Sequence, residues 1–451
     1  MTQRDSILIS GGTVVDPSQG MHARRDVLIE EGRIAAVAEH IATERARRTI
    51  DASGLFVCPG FIDLHCHLRE PGGSASETIA SGSAAAAAGG FTTVFCMPNT
   101  NPVCDSPVVV KYILVRSREA ASIRVIPVAA VTRDQKGEQL ADLGALKAAG
   151  AGAFSDDGRP VSNAMVMRRA LTYAHMLDMP VFDHAEDLSL TADGVMHEGN
   201  ISLRLGLKGI PRSSEATIVA RDCALSYETG GRLHICHVSN RDSVAAIRHW
   251  KARGAPVTAE VSPHHLTLTD EAVCAGEGYR TDAKMKPPLC SEDDRKSLIE
   301  ALEDGTLDCI ATDHAPHSPP SKDALFQDAP FGIIGFESAF AVLYTGFVAL
   351  GRWTLDFLID KLTKAPADVL GAEWGTLGTG SPADVTLLKL GEEFVFDLSR
   401  VRSLSRNSPW IGKPCSGRVV ATLAEGRPVF TDHGAFPAGL FVARSMSKAG
   451  A

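Results

Sequence analysis

The sequence has no long unbroken apolar run. Its apolar stretches are short and interrupted by charge, glycine or proline, so no transmembrane helix is expected. The first ten residues, MTQRDSILIS, lack the basic start and extended apolar segment of a secretory signal. An excess of basic residues is missing too. Lys and Arg number 45 against 54 Asp and Glu, and the resulting net charge of −9 offers little to nucleic acid or an anionic membrane surface. None of the ten cysteines stands in a CxxC pair, which predicts reduced, mostly buried thiols rather than disulfides. Long repeats and low-complexity segments are absent. These absences leave a cytoplasmic protein of ordinary globular composition, 44% hydrophobic and 22% charged.

What the chain does contain is an alternation. Short β-rich runs occur at Val57–His65, Thr92–Met97, Val125–Val131, Gly152–Asp156, Pro180–His184, Leu233–Val238, Val257–Val261 and Cys309–Thr312. Helix-like segments lie between them, among them Glu77–Ala88, Glu138–Ala149, Ala164–Met176, Ala216–Thr229, Ser243–Ala252 and Asp293–Leu302. Eight such βα units predict a parallel sheet closed into a (β/α)8 TIM barrel over residues 57–370. The flanks, 1–56 and 371–451, read instead as β-hairpins punctuated by Gly, Asp and Pro, as in GTLGTGSPADVTLLKL and GRVVATLAEGRPVF. One small β-sandwich domain assembled from both termini is the expectation.

Barrel sites form at the carboxyl ends of the strands, and the polar residues concentrate there. The first run ends in His65-Cys66-His67, whose alternating side chains put both imidazoles on one face and Cys66 on the other. Two such rings can each give a nitrogen to one divalent ion at about 2.0–2.1 Å. Further runs end in Ser155-Asp156-Asp157-Gly158, Asp183-His184-Ala185-Glu186, His234-Ile235-Cys236-His237 and Asp313-His314-Ala315-Pro316-His317. Each alone has a structural explanation: an Asp-Gly turn, or a packed histidine. Jointly, four histidines and an aspartate that bridges can hold two ions, with Asp313 beside them. Paired divalent ions acidify water and polarise a carbonyl, and a carboxylate such as Asp313 can carry the proton to a leaving nitrogen. Nitrogen and oxygen donors without thiolate suit Zn²⁺ best, with Mn²⁺, Co²⁺ and Fe²⁺ as the alternatives. Arg69, two residues past His67, offers a bidentate fork for a substrate carboxylate.

Several segments taken together resemble the amidohydrolase superfamily and, within it, the bacterial class I dihydroorotases. They are Pro59–Gly72 (PGFIDLHCHLREPG), Met97–Asn101, Phe154–Gly158, His184–Asp187, Ala259–Leu266, Ala311–His317, Pro330–Gly335 and Gly378–Asp384. The resemblance spans nearly the whole chain, and the family fold is a distorted (β/α)8 barrel with a small β domain from both termini. It implies that His65, His67 and Asp157 bind one Zn²⁺ and that Asp157, His184 and His237 bind a second. Many relatives bridge their metals with a carboxylated lysine, where this chain has Ser155, so Asp157 is the expected bridge. Asp313 is implied as general base and acid beside the metals. Arg69, Asn99, His317 and main-chain groups near Phe331 and Gly332 are implied to hold the substrate. The reaction implied is reversible cyclisation of N-carbamoyl-L-aspartate to (S)-dihydroorotate, in pyrimidine synthesis. Homodimers, and association with aspartate carbamoyltransferase, also occur among such relatives.

Two positions depart from the family pattern. Lys286 stands where relatives usually have an asparagine that contacts the substrate, and Cys290 stands where arginine is frequent. Lys286 has the reach for a substrate carboxylate or ring carbonyl, but an outward turn to solvent is the favoured expectation. Two other functions compete. Another cyclic-amide hydrolase (imidase, hydantoinase or allantoinase) is disfavoured by the absent bridging lysine and by Arg69 with Asn99. A non-catalytic scaffold for aspartate carbamoyltransferase is disfavoured because such scaffolds lose metal ligands.

Overall fold

A computed structural model describes residues 6–275, 278–432 and 442–443, so the predicted flanks 1–56 and 371–451 run beyond the described residues at their outer ends. Eight parallel strands follow one another in sequence order: β1 Phe61–Cys66, β2 Phe91–Cys96, β3 Arg124–Ala129, β4 Ala153–Ser155, β5 Val181–Asp183, β6 Leu233–Ile235, β7 Val257–Val261 and β8 Cys309–Ile310. Inward-facing Ile62, Leu64, Phe95, Val128, Ala153, Phe182, Cys236 and Cys309 fill the barrel, as alternation around a closed sheet requires.

The first predicted strand, Val57–His65, is two strands. Phe56–Pro59 belongs to the second sheet, pairing with Thr13–Val14 and with Val385–Leu388. The break falls at Gly60, where a Cβ would lie 2.2 Å from the Thr92 hydroxyl oxygen. Apolar character continues through the break, so hydropathy alone does not reveal it. At the seam between β8 and β1 a single bridge joins Cys66 to His314, with His67 N donating to His314 O at 2.8 Å. Asp63 reinforces the seam by accepting from the backbone N and the hydroxyl of Thr312, both at 2.7 Å. Burial pushes its carboxyl up to about 7.

Helices form where a cap meets an apolar-periodic run. Asn163 caps Ala164–Met176 and Asn240 caps Arg241–Ala252, each side chain accepting from two backbone N–H groups. The segment predicted as helical from Glu138 becomes helix only over Leu143–Ala149, because Asp142 caps that helix and Leu140 bridges to Thr132. The helix Pro107–Ala120 is additional to the predicted segments. The flanks build a mainly antiparallel sheet in which Ser6–Asp16 and Met21–Glu30 meet Val385–Phe396, Lys413–Ala424 and Arg427–Thr431 through Phe56–Pro59. All ten cysteines are free, and nine of them are buried. No described helix is long and apolar enough to cross a membrane.

Candidate metal centre

Every barrel strand that was predicted to end in a site residue delivers it to one focus. Of the carboxylate pair after β4, Asp156 turns aside to accept from the backbone N and hydroxyl of Thr132, while Asp157 points into the barrel mouth. There its oxygens lie 3.1 Å from His65 Nε2, 3.4 Å from His184 Nδ1, 3.5 Å from His67 Nε2 and 3.7 Å from His237 Nε2. Asp313 Oδ1 lies 3.2 Å from His67 Nε2 and 3.7 Å from His65 Nε2. All six residues are buried.

Backbone irregularity aims these groups. The pairing of β1 with β2 shifts register between Asp63 and Cys66, so His65 and His67 both reach the focus, while Cys66 Sγ donates outward to Phe95 O at 3.2 Å. Strict alternation would place His237 on the outer face with Leu233 and Ile235. Instead β6 ends at Ile235, and a φ of 32° at His237 brings its ring over the mouth. Asp313 and Arg69 also take positive φ, at 46° and 57°. Such strained conformations persist where the surrounding structure enforces them, and they cluster at functional sites.

The far side of each ring fixes which nitrogen is free. His65 Nδ1 donates to Glu260 Oε1 at 3.0 Å, and His67 Nδ1 donates to Asn99 Oδ1 at 2.9 Å. His184 Nε2 donates to Glu186 Oε2 at 3.3 Å. These oxygens only accept, so the opposite nitrogens are the ones that face Asp157, where each can hold a proton or give its lone pair to a cation. His184 Nδ1 and His237 Nε2 approach to 2.9 Å, a separation that needs a proton or a cation between two lone pairs. His65 Nε2 and Asp157 Oδ1 are buried without a hydrogen-bond partner. The triads His65–His67–Asp313 and His65–Asp157–His237 each bring one donor atom per residue within 4.8 Å of the others. The donor set fits divalent cations.

Charge in the cluster gives the same answer. Burial pushes the Asp157 carboxyl up, yet the imidazoles of His65, His184 and His237 hold it well below the usual carboxylate range. Burial pulls the His184 ring down, but Asp157 and Glu186 push it up to about 10. Asp313 is likewise held below the ordinary range by His67, His65 and His237 against the effect of burial. Two buried carboxylates thus demand positive charge, which protons supply in the metal-free protein.

Around the mouth, Arg69 Nε donates to Pro316 O at 3.1 Å. Glu70 is engaged elsewhere, with Arg116 Nε at 3.0 Å and Ile79 N at 2.9 Å, so it leaves Arg69 unpaired from its neighbour. His317 Nε2 donates to Phe331 O at 2.7 Å; that nitrogen therefore bears the proton, and Arg69 Nη2 at 3.4 Å is in contact with it rather than bonded to it. Gly332 N donates to Lys284 O and Gly332 O accepts from Asn407, so both main-chain groups are already used within the fold. A Cβ on Gly332, whose φ is 128°, would lie 2.7 Å from Ala315 Cβ. The expectation that Lys286 turns to solvent is wrong. Its Nζ lies 2.8 Å from Glu186 Oε1, because a buried carboxylate draws the nearest flexible cation inward.

Sequence reasoning missed three supporting residues. Glu260 accepts from both His65 and His234, the latter at 3.0 Å. A carboxylate inside the strand VTAEV was a readable sign of a buried partner. Glu186, beside His184 in DHAED, gave a similar sign, whereas Asn407, remote in sequence, gave none.

Residues 54–243 match the family model described as dihydro-orotase-like. A dihydroorotase of Anaeromyxobacter dehalogenans is 51% identical over 425 residues, covering 94% of this chain and 98% of the relative. One of Pelotomaculum thermopropionicum is 51% identical over 426 residues, covering 94% and 99%. The chain belongs to the dihydroorotase family. Among solved structures, the L-hydantoinase of Arthrobacter aurescens superposes with a TM-score of 0.82 at 26% identity, covering 94% of this chain and 96% of that one. A dihydropyrimidinase of Brevibacillus agri, 23% identical with a TM-score of 0.81, shares the fold, over 94% and 95% of the two chains. The family membership and this architecture make the chain a cyclic amidohydrolase built on a TIM barrel, and its buried His and Asp clusters are able to bind metal.

Proposed function

We propose that the chain is a dihydroorotase that interconverts N-carbamoyl-L-aspartate and (S)-dihydroorotate in pyrimidine synthesis, using two Zn²⁺ ions bridged by Asp157. The observation that carries this reading is the position of Asp157, with four imidazole nitrogens 3.1–3.7 Å from its carboxylate. His65 and His67 would hold one ion with Asp157, and His184 and His237 the other. When bound, such ions acidify a water and polarise the attacked carbonyl.

The remaining work belongs to the chain's own groups. In the ring-opening direction a C–O bond forms at the ring amide carbonyl and the C–N bond breaks. Asp313, ionised and facing the focus, takes the proton of the attacking oxygen and returns it to the departing nitrogen. Arg69 holds the substrate α-carboxylate by its guanidinium fork. Asn99 does double duty, orienting His67 through Oδ1 and turning its amide N–H groups to the substrate. His317 is neutral, since burial and the charge of Arg69 pull it down to about 3, and it braces the Arg69–Phe331 side of the pocket. In this reading the catalytic barrel begins at Phe61 and runs to about residue 370, the described flanking strands together with Phe56–Pro59 form the small β domain, and the protein is cytoplasmic. The proposal extends to a homodimer able to associate with aspartate carbamoyltransferase, which sedimentation of the chain with and without that enzyme reads directly.

The test is a spectrophotometric assay of dihydroorotate ring opening beside hydantoin and allantoin, on protein of measured zinc content. Turnover of dihydroorotate well above the other two is expected. Hydantoin as the better substrate, or no dihydroorotate turnover at full zinc occupancy, would overturn the assignment.

A further inference from the structure

Lys286 departs from the family pattern, and its surroundings give it a task. Its Nζ sits 2.8 Å from Glu186 Oε1 and 5.3 Å from the centre of the Phe331 ring. Glu186 is buried, and its two oxygens are divided between neighbours. Oε1 also accepts from the Thr191 hydroxyl at 2.6 Å, while Oε2 accepts from His184 Nε2 at 3.3 Å. Because Nε2 donates to Glu186, His184 presents Nδ1 to Asp157 and His237. A buried carboxylate in this role needs a counter-charge. Solvent screens this carboxylate little, because the Glu186 side chain is only 6% exposed, and the Lys286 ammonium is the cation within ion-pair distance of its Oε1.

We propose that Lys286 is a positioning residue for the metal centre, acting through Glu186 to fix the His184 ring with Nδ1 toward Asp157, and that it does not bind the substrate. The cation standing in the usual asparagine position is thus neutralised inside the protein. Arg69 is left as the charge that the substrate meets. This inference rests on the assignment of His184 as a zinc ligand.

The experiment uses the full chain stripped of metal and reloaded with Zn²⁺. Zinc affinity is read by competition with a chromophoric chelator, and kcat and KM for dihydroorotate are read at saturating zinc. Lys286→Met should weaken one zinc equivalent by about tenfold or more, the scale seen when a ligand's outer partner is lost, with KM within about twofold of wild type. Lys286→Arg should keep most of the affinity. Glu186→Gln should weaken zinc binding at least as much as Lys286→Met, and the double variant should be no worse than Glu186→Gln alone, since both changes act on one ring. Lys286→Arg and the isosteric Glu186→Gln keep the test readable if the methionine variant does not fold. Unchanged zinc affinity in Lys286→Met overturns the proposal, whether KM rises, as for a substrate contact, or stays put. Additive losses in the double variant overturn it too. A wild-type chain that takes up no zinc would overturn the metal assignment and this proposal together.

Discussion

Asp157 and Asp313 are carboxylates buried among the same imidazoles, yet replacing them should have different consequences. Asp157 touches all four histidines, so Asp157→Ala should remove bound metal and with it activity, read by elemental analysis of dialysed protein. Asp313 contacts only the His65–His67 side. Asp313→Ala should keep its metal while kcat falls by about 10²–10⁴, the usual scale of a lost general acid–base; a near-wild-type rate would sink the assigned role. Arg69→Lys keeps the charge but loses the fork, and KM should rise about tenfold with metal content unchanged. The proposed ligands were legible in the sequence because each lies at or just past a strand end, and strand ends in a barrel converge. Lys286 was not, because a flexible side chain goes where a partner charge is, and Glu186 lies a hundred positions upstream.

At the scale of elements, the segment from His317 to Gly332 is pinned rather than free. Lys322 Nζ donates to three carbonyls, those of Thr281, Lys284 and Pro330, at 2.8–3.2 Å. Lys284 Nζ donates to Phe326 O and Gln327 O. Lys322→Met removes three acceptors' partner at once, so the segment should open. Chymotrypsin should then cleave it faster near Phe326 and Phe331, and KM should rise several-fold, about the effect of losing one or two charged hydrogen bonds. Unchanged cleavage would show that packing, not the ammonium, holds the loop. Two features of the barrel were also hidden from sequence. Gly60 ends one sheet and starts another within a continuous apolar run, a fact visible only as the close approach of Thr92. The positive φ at His237 overrides the strand alternation that would have pointed it outward.

For the whole molecule, the proposed metal centre should couple to folding. In the metal-free chain the His184 ring binds its proton more tightly than an unfolded imidazole does, its pKa having been raised from 6.5 to about 10. That contribution to stability is complete below about pH 6.5 and is lost as the pH rises through about 10. Metal-free protein should therefore show a falling thermal midpoint over that interval. Zinc-loaded protein should lack this decline, because ligation replaces the proton, and zinc affinity should instead weaken toward acid. Parallel pH profiles for the two forms would contradict this. Zinc in excess should also raise the midpoint by mass action on the folded state alone.

The most direct test is a reconstitution titration: dihydroorotate ring opening measured as Zn²⁺ is returned to chelator-stripped protein, for wild type and for Asp157→Ala. A bridged pair predicts a wild-type rate that climbs to a plateau near about two equivalents per chain and an Asp157→Ala rate that stays at background. Full activity in the stripped protein, or equal recovery by the Asp157→Ala variant, would contradict it.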